Sequence, residues 1–252
     1  VRAKASLHGV AENALDVPQE TSAESDTTEA AIELPLLVPN GSAATVATVS
    51  PNGKLLAVSG TVEGRPAILV RDLTTGELTA SLTGHLDQIT SLSFAANNRR
   101  LISGSVDQTA RVWDLADAKF PEVISSGGQA ATILGVAFNA DGSQAATCAA
   151  DNSVQLWNTT TGAVIQRLVG HTAAVVGIAI APGNTEIITA SADKTVRVWT
   201  AADGKIARTI TAPAAISRMA VSRDGTRIAV AQTDRIVQIY KAADGALVQT
   251  LA

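Results

Sequence analysis

The chain has 252 residues, 46% of them hydrophobic, and a net charge of −4 at pH 7. It is long enough to bury a core without crosslinks, and its single cysteine, Cys148, excludes an internal disulfide framework. The three histidines (His8, His85 and His171) lie far apart in sequence, which disfavours a histidine-based metal site. The longest apolar run, 173–181, is too short to cross a bilayer. We therefore expect no metal, no cofactor and no membrane insertion.

The first part of the chain is acidic. Residues 11–33 contain seven Asp or Glu and no Lys or Arg, and 18–29 is also rich in Ser and Thr, which predicts a solvated linker. Residues 1–17 alternate partly in polarity, and two interpretations stay open: a β-hairpin tail of an upstream domain, or an irregular terminus. Residues 34–252 carry a net charge of +1, so we expect no nucleic-acid partner and no anionic-membrane patch.

Short strands are predicted next, in chain order. An apolar segment at 30–38 could add a strand ahead of the first unit. The strands of five successive units then follow at 55–60, 68–72 and 77–82; at 89–94, 101–105 and 110–114; at 133–138, 145–149, 154–158 and 163–168; at 175–180, 187–191, 196–200 and 205–210; and at 217–221, 227–231, 237–241 and 246–251. Asn-Gly and Asp-Gly pairs between them favour tight hairpin turns. Residues 116–128, with Pro121, are irregular.

The units form an internal repeat. Arg71, Trp113, Trp157, Trp199 and Tyr240 follow one another at spacings of 42, 44, 42 and 41 residues. An aspartate stands six residues before each of the last four: Asp107, Asp151, Asp193 and Asp234. A period of this length is typical of a repeat architecture in which each unit packs against its neighbours.

These motifs resemble the WD-repeat β-propeller family over residues 43–252. The resemblance is carried by Gly84-His85, Gly170-His171, SGSVDQTARVWD at 103–114 and TASADKTVRVWT at 189–200. It implies an all-β propeller of four-stranded antiparallel blades, with five repeats encoded in residues 30–252, whereas propellers of this family most often have about seven blades. Three arrangements stay open: the five blades belong to a longer propeller, close alone, or form an open arc completed by another chain.

The resemblance also implies a structural hydrogen-bond network in each blade. Two sets are complete: His85, Ser103, Asp107 and Trp113, and His171, Thr189, Asp193 and Trp199. The unit between them has Gln129 at the histidine position with Thr147, Asp151 and Trp157. The last unit keeps only Asp234, beside Ala212, Val230 and Tyr240. The first unit has Asn40 and Arg71 at these places and an insertion at 61–67, so we expect no such network there.

A structural role for these sets is favoured over catalysis. His85, Ser103 and Asp107 have the residue types of a hydrolase triad, but no nucleophile elbow surrounds the serine and the set recurs with Thr189. Loss of His85 or Asp107 should cost roughly 1–3 kcal/mol, because a buried partner would be left unpaired. Cys148, among small apolar residues, is predicted to be buried and unreactive.

The predicted function is that of a non-catalytic protein-interaction scaffold or assembly module within a larger, bacterial multidomain protein. The alternative is a propeller that frames the active site of an enzyme or electron-transfer protein whose catalytic parts lie elsewhere. Expected partners are proteins or other domains of the same protein, with self-association if the ring is open. The candidate polar contacts lie on the short loops of one face: Asp87, Gln88, Thr132, Thr172, Gln232 and Thr233.

Overall fold

A computed structural model describes residues 44–116 and 129–251, all within one compact unit. The hairpin predicted at 1–17, the linker at 18–29, the segment at 30–38, Asn40 and Pro121 lie outside the described residues. The described part contains nineteen β-strands and no helix, so the all-β prediction is confirmed. No helix in that part could therefore cross a membrane.

The strands form five antiparallel sheets, which we call blades one to five. Blade one comprises β1 (Ala47–Val49), β2 (Leu55–Val62), β3 (Arg65–Asp72) and β4 (Leu78–Thr83). Blade two has three described strands, β5 (Ile89–Phe94), β6 (Arg100–Ser105) and β7 (Ala110–Asp114). Blade three comprises β8 (Ile133–Phe138), β9 (Gln144–Ala149), β10 (Val154–Asn158) and β11 (Val164–Leu168). The place for a fourth strand of blade two falls in 117–128, outside the described residues.

The last two blades repeat the same order. Blade four comprises β12 (Val175–Ile180), β13 (Glu186–Ser191), β14 (Thr195–Thr200) and β15 (Ile206–Thr211). Blade five comprises β16 (Ile216–Val221), β17 (Arg227–Gln232), β18 (Val237–Lys241) and β19 (Leu247–Leu251). Consecutive strands pair within each blade, where a short turn joins one strand to the next. Gly142, for example, has φ 75°, the left-handed conformation that its Asp-Gly turn requires.

The insertion at 61–67 does not form a separate loop. It lengthens β2 and β3, which pair as far as Val62 with Arg65 across the turn at Glu63-Gly64. Both turn residues have positive φ (51° and 75°), as a two-residue hairpin turn needs.

Apolar side chains on both faces of the strands hold neighbouring blades together. The first strand of each blade packs against the first strand of the next, from β1 through β5, β8 and β12 to β16. Between blades three and four, Leu156 and Leu168 of one blade join Ile187 and Trp199 of the other in one buried cluster. Burying one such side chain stabilises the fold by roughly 1.5–3 kcal/mol. Each blade therefore depends on its neighbours for stability.

The five blades form an open row within the described residues. β16 packs on β12 and β13, and no comparable packing joins it to β1. The burial of β17 alternates along the strand, whereas five successive residues of the matching β13, Ile187–Ser191, are buried. One face of blade five is thus covered by blade four and the other is open to solvent.

Candidate functional site

Blade two brings one predicted set of side chains into a continuous chain of hydrogen bonds. Nε1 of Trp113 donates to Oγ of Ser103 over 2.8 Å, and this oxygen lies 2.7 Å from Nε2 of His85. Nδ1 of His85 lies 2.8 Å from Oδ2 of Asp107. Since an ionised carboxylate only accepts, the ring carries its proton on Nδ1, and the serine hydroxyl donates to Nε2. Every polar side-chain atom of these four residues therefore has a hydrogen-bond partner.

Asp107 joins two loops through this chain. Its Oδ2 accepts from the Leu86 amide over 2.9 Å, and its Oδ1 accepts from the amide and hydroxyl of Thr109. Burial raises the pKa of Asp107, but its hydrogen bonds to the two loops and to His85 outweigh burial and lower the pKa to about 2. Burial lowers the pKa of His85, and the attraction of Asp107 offsets this only in part. The pair is thus a carboxylate and a neutral ring at pH 7.

Blade four repeats the arrangement. Oγ1 of Thr189 accepts from Nε1 of Trp199 over 2.8 Å and lies 2.8 Å from Nε2 of His171, whose Nδ1 lies 2.8 Å from Oδ2 of Asp193. Burial raises the pKa of Asp193, but its hydrogen bonds lower it to about 2. Burial also lowers the pKa of His171. The same geometry in two blades is what a repeated structural role produces.

Blade three builds a related chain without histidine. Trp157 Nε1 donates to Oγ1 of Thr147 over 2.8 Å, and that hydroxyl donates to Oε1 of Gln129 over 2.6 Å. The Gln129 amide nitrogen donates to Oγ of Ser153 over 3.0 Å, and Ser153 donates in turn to Asp151. Asp151 thus acts through Ser153, an intermediary that the repeat spacing did not identify.

Blade five has a different network in the same place. The Tyr240 hydroxyl donates to Oε1 of Gln238 over 2.6 Å, and Nε2 of Gln232 donates to the same oxygen over 3.0 Å. The Gln232 carbonyl oxygen accepts from the Ala214 amide over 3.0 Å. Tyr240 donates from a hydroxyl where tryptophan donates from an indole N–H. Two glutamines stand in for the Ser/Thr and His partners of the other blades.

Two predictions differ from the structure of blade five. Gln232, predicted as a partner contact, is only 4% exposed, because its amide is occupied inside the blade. Asp234, predicted within the network, is exposed and accepts only the Ile236 amide over 3.2 Å, as a turn residue. Gln232 and Gln238 stand six residues apart near Tyr240, a spacing that does not by itself indicate a buried network.

Blade one has no tryptophan network among its described residues. Arg71 stands at the tryptophan position and donates from Nη1 to the Gly76 carbonyl over 3.1 Å. Oγ of Ser59 instead accepts from the amides of Thr45 and Val46. These bonds from backbone amides to a side-chain hydroxyl hold the segment that leads into β1.

The triad-like residues of blade two are arranged for structure. Ser103 is 0% exposed, and its hydroxyl oxygen already accepts from Trp113. A serine nucleophile must reach a substrate carbonyl, which a fully buried oxygen cannot do. Cys148 is also 0% exposed, and burial raises the pKa of its thiol far above the usual value, which keeps it uncharged. The described residues contain no group of three or more metal-ligating side chains.

The loop face is the surface that carries the loops between blades and the turns between each second and third strand. Of the predicted contacts, Asp87, Gln88, Thr172 and Thr233 are exposed and Thr132 is half-buried. Their backbones are tied down: the Gln88 and Thr132 carbonyls accept from Val106 and Ala150, and the Thr172 amide donates to Asp193. The loops are therefore held rigidly while their side chains face solvent.

Two large apolar side chains on this side of the blades were missed from the sequence. Leu86, which directly follows His85, is 85% exposed, and Val169, two residues before His171, is 84% exposed. The Leu86 amide is anchored on Asp107, so its side chain is held outward by the buried network. An apolar residue within two positions of an anchoring histidine is the signal that could have found both positions.

The comparisons with known proteins agree with this geometry. The family model "WD domain, G-beta repeat" matches residues 76–114, 122–158 and 162–200. Periodic tryptophan protein 2 homologs are similar: 32% identity over 115 residues in Neurospora crassa (44% of this chain, 12% of that protein) and 28% over 114 in Schizosaccharomyces pombe (45% and 13%). Mitochondrial division protein 1 of Neosartorya fischeri is 34% identical over 113 residues, covering 36% of this chain and 17% of that protein.

The matched regions span less than a fifth of each of these relatives. All three relatives come from eukaryotes, so the expectation of a bacterial source has no support in them. The repeat spacing and the strand order agree with the family match where they overlap it, within residues 76–200. Residues 76–200 of the chain are therefore a segment of the WD-repeat family, with three WD40 repeats.

Proposed function

We propose that the chain is a non-catalytic protein-interaction module of a larger assembly protein, and that its partner docks on the loop face. The observation that carries this proposal is the anchoring of exposed loops by buried networks. Asp107 fixes the loop of Leu86 to the turn of Thr109, and Asp193 does the same in blade four. Exposed side chains on a rigid loop bind with little loss of conformational entropy.

Leu86 is the proposed anchor of this surface. A side chain that is 85% exposed contributes nothing to the core, yet its backbone is held by a carboxylate that is 5% exposed. Burying a leucine at an interface stabilises the complex by roughly 1.5–3 kcal/mol. Asp87 and Gln88, exposed beside it, would supply polar contacts at the rim.

The test compares Leu86→Glu with Leu78→Glu. Both side chains are exposed (85% and 48%), but Leu78 lies on β4, away from the loop face. Proteins that co-purify with the tagged chain are quantified by mass spectrometry. We expect Leu86→Glu to reduce recovery of a specific partner about tenfold and Leu78→Glu to leave it unchanged. Equal recovery with both variants would contradict docking on this face.

A further inference from the structure

A cavity of about 280 Å³ lies on the loop face at blade three. It is lined by the turn 151–153 between β9 and β10, and by the segment 169–171 that leads from β11 into blade four. Val154 and Leu168, both buried, also line it, so part of its surface is aliphatic. The cavity is far larger than the ~30 Å³ of one water molecule and slightly smaller than the roughly 300–1,000 Å³ of small-molecule pockets. Its size therefore suits a side chain inserted by a partner protein.

The cavity is bordered by a buried amide that the fold leaves unbonded. Gln155 lies on β10 between Thr147 of β9 and Arg167 of β11, and it is only 1% exposed. Among the described residues, no group bonds to its Oε1 or to its Nε2. A buried polar group without a partner destabilises a fold, and such groups are rare in native structures. The amide thus has both an acceptor and a donor for a group that enters the cavity.

The matching glutamine of blade five shows what the amide of Gln155 lacks. Gln155 and Gln238 each stand two residues before the aromatic residue of the third strand. The side-chain oxygen of Gln238 accepts from the Tyr240 hydroxyl over 2.6 Å. In blade three the matching Trp157 donates to Thr147 instead. The hydrogen-bond network of blade three is therefore complete without Gln155.

The polar groups around the cavity favour a neutral ligand that both donates and accepts. A carboxylate would satisfy only the N–H donors of Gln155, and an ammonium group only its oxygen, whereas a primary carboxamide satisfies both. The cavity is also lined by one anionic and one cationic side chain, Asp151 and Arg167, so neither sign of charge dominates. The ring of His171 is already bonded through both nitrogens within blade four.

We propose that this cavity binds a primary carboxamide, the side chain of a glutamine or asparagine in the protein that docks on the loop face. The inference rests on the proposed function and names the chemistry of one contact in it. The carboxamide pairs with Gln155 through both of its polar atoms, and its aliphatic stem packs on Val154 and Leu168. Val169, which also lines the cavity and is 84% exposed, contacts an apolar neighbour of that residue in the partner.

The test uses the full chain labelled with nitrogen-15 and three peptides, N-acetyl-Val-X-Val-N-methylamide, in which X is glutamine, glutamate or methionine. Binding is followed by NMR through the side-chain NH₂ signals of Gln155, which are identified by their loss in Gln155→Met. We expect the glutamine peptide, at millimolar concentration, to shift these signals and the backbone amide signal of Val169. The other two peptides should bind about tenfold more weakly, because neither completes both hydrogen bonds.

Two variants with the same substitution complete the test. Gln155→Met should weaken binding of the glutamine peptide about tenfold, as followed at Val169. It should unfold at the same urea concentration as the unmodified chain or at a higher one, because the folded chain loses no hydrogen bond. Gln249→Met, at an exposed position on β19, should leave binding unchanged.

Three binding results would overturn the inference: no shift of the Gln155 signals, equal binding of the three peptides, or equal loss of binding in the two variants. A lower urea midpoint for Gln155→Met would also overturn it, because the amide would then already be bonded, to an ordered water only. None of these results removes docking on the loop face. That proposal fails only if Leu86→Glu and Leu78→Glu recover the partner equally.

Discussion

The hydroxyl of Thr147 donates to the side-chain oxygen of Gln129 over 2.6 Å, at the position where Ser103 and Thr189 meet histidines. The amide satisfies the same buried hydroxyl without a titratable ring. Blade three therefore shows that glutamine can complete the network of a blade. It also provides a natural model for substituting the two histidines.

Replacing His85 and His171 by Gln should flatten the dependence of stability on pH. Burial holds the pKa of both rings below 6.5 in the folded state, so the unfolded chain binds more protons as the pH falls below this value. Stability is therefore fully present above pH 6.5 and declines below it. Urea unfolding at pH 7 and pH 5 should show that the double variant loses less stability between these pH values than the unmodified chain, because it takes up fewer protons on unfolding.

The control for this prediction is His8→Gln, which lies outside the described residues and is expected to keep the unmodified pH profile. Identical profiles for the double variant and the unmodified chain would show that the rings are not held neutral.

A further decline in the free energy of unfolding is expected between about pH 4 and 2, because hydrogen bonds overcome burial and lower the pKa of Asp107 and Asp193 to about 2.

Ser103→Ala should lower the free energy of unfolding by about 2 kcal/mol. The substitution leaves the Trp113 indole N–H and Nε2 of His85 without partners in a buried place. Ser81, which is exposed on β4, provides the control: Ser81→Ala should change stability by less than about 0.5 kcal/mol. Chemical denaturation measures the free energy of unfolding of both variants. Equal effects would show that the network does not contribute to stability.

Gly177→Ala should strain the contact between blades four and five. The added Cβ would lie 2.8 Å from the Cβ of Met219, and overpacking of this kind costs about 1–3 kcal/mol. Met219→Gly alone should also destabilise, but the two effects should not add, because the double variant lacks the Cβ at position 219 that the new methyl group would meet. A double-mutant cycle measures the coupling, and strict additivity would argue against close packing of these strands.

Cys148 should resist thiol reagents in the folded chain. Its side chain is fully buried and its pKa is raised by burial, so the reactive thiolate does not form. Reaction with a disulfide reagent should follow global unfolding in urea. Rapid labelling under native conditions would show that β9 opens locally or that the strand lies elsewhere.

The sequence predicted the strands because their signals are local. The alternation of apolar runs with Asp-Gly and Asn-Gly turns places β5, β7, β8 and β10 within the observed bounds. The complete networks of blades two and four were predictable because the resemblance supplies both residue types and spacing. The network of blade five was not predictable, because the sequence does not show that Gln232 and Gln238 are buried.

The close packing between blades was also beyond sequence analysis. Gly177 looks like any strand glycine until the structure shows that a Cβ there would lie 2.8 Å from the Cβ of Met219 in the next blade. What the sequence lacks is long-range packing information.

The central claim is that the repeated polar sets are hydrogen-bonded networks, each with a neutral histidine ring on an aspartate, that support the loops. Long-range proton–nitrogen NMR of the histidine side chains at pH 7 tests this most directly. His85 and His171 should each appear as the neutral ring with its proton on Nδ1 and Nε2 accepting from a hydroxyl. A protonated imidazolium, or a proton on Nε2 in either ring, would contradict the account.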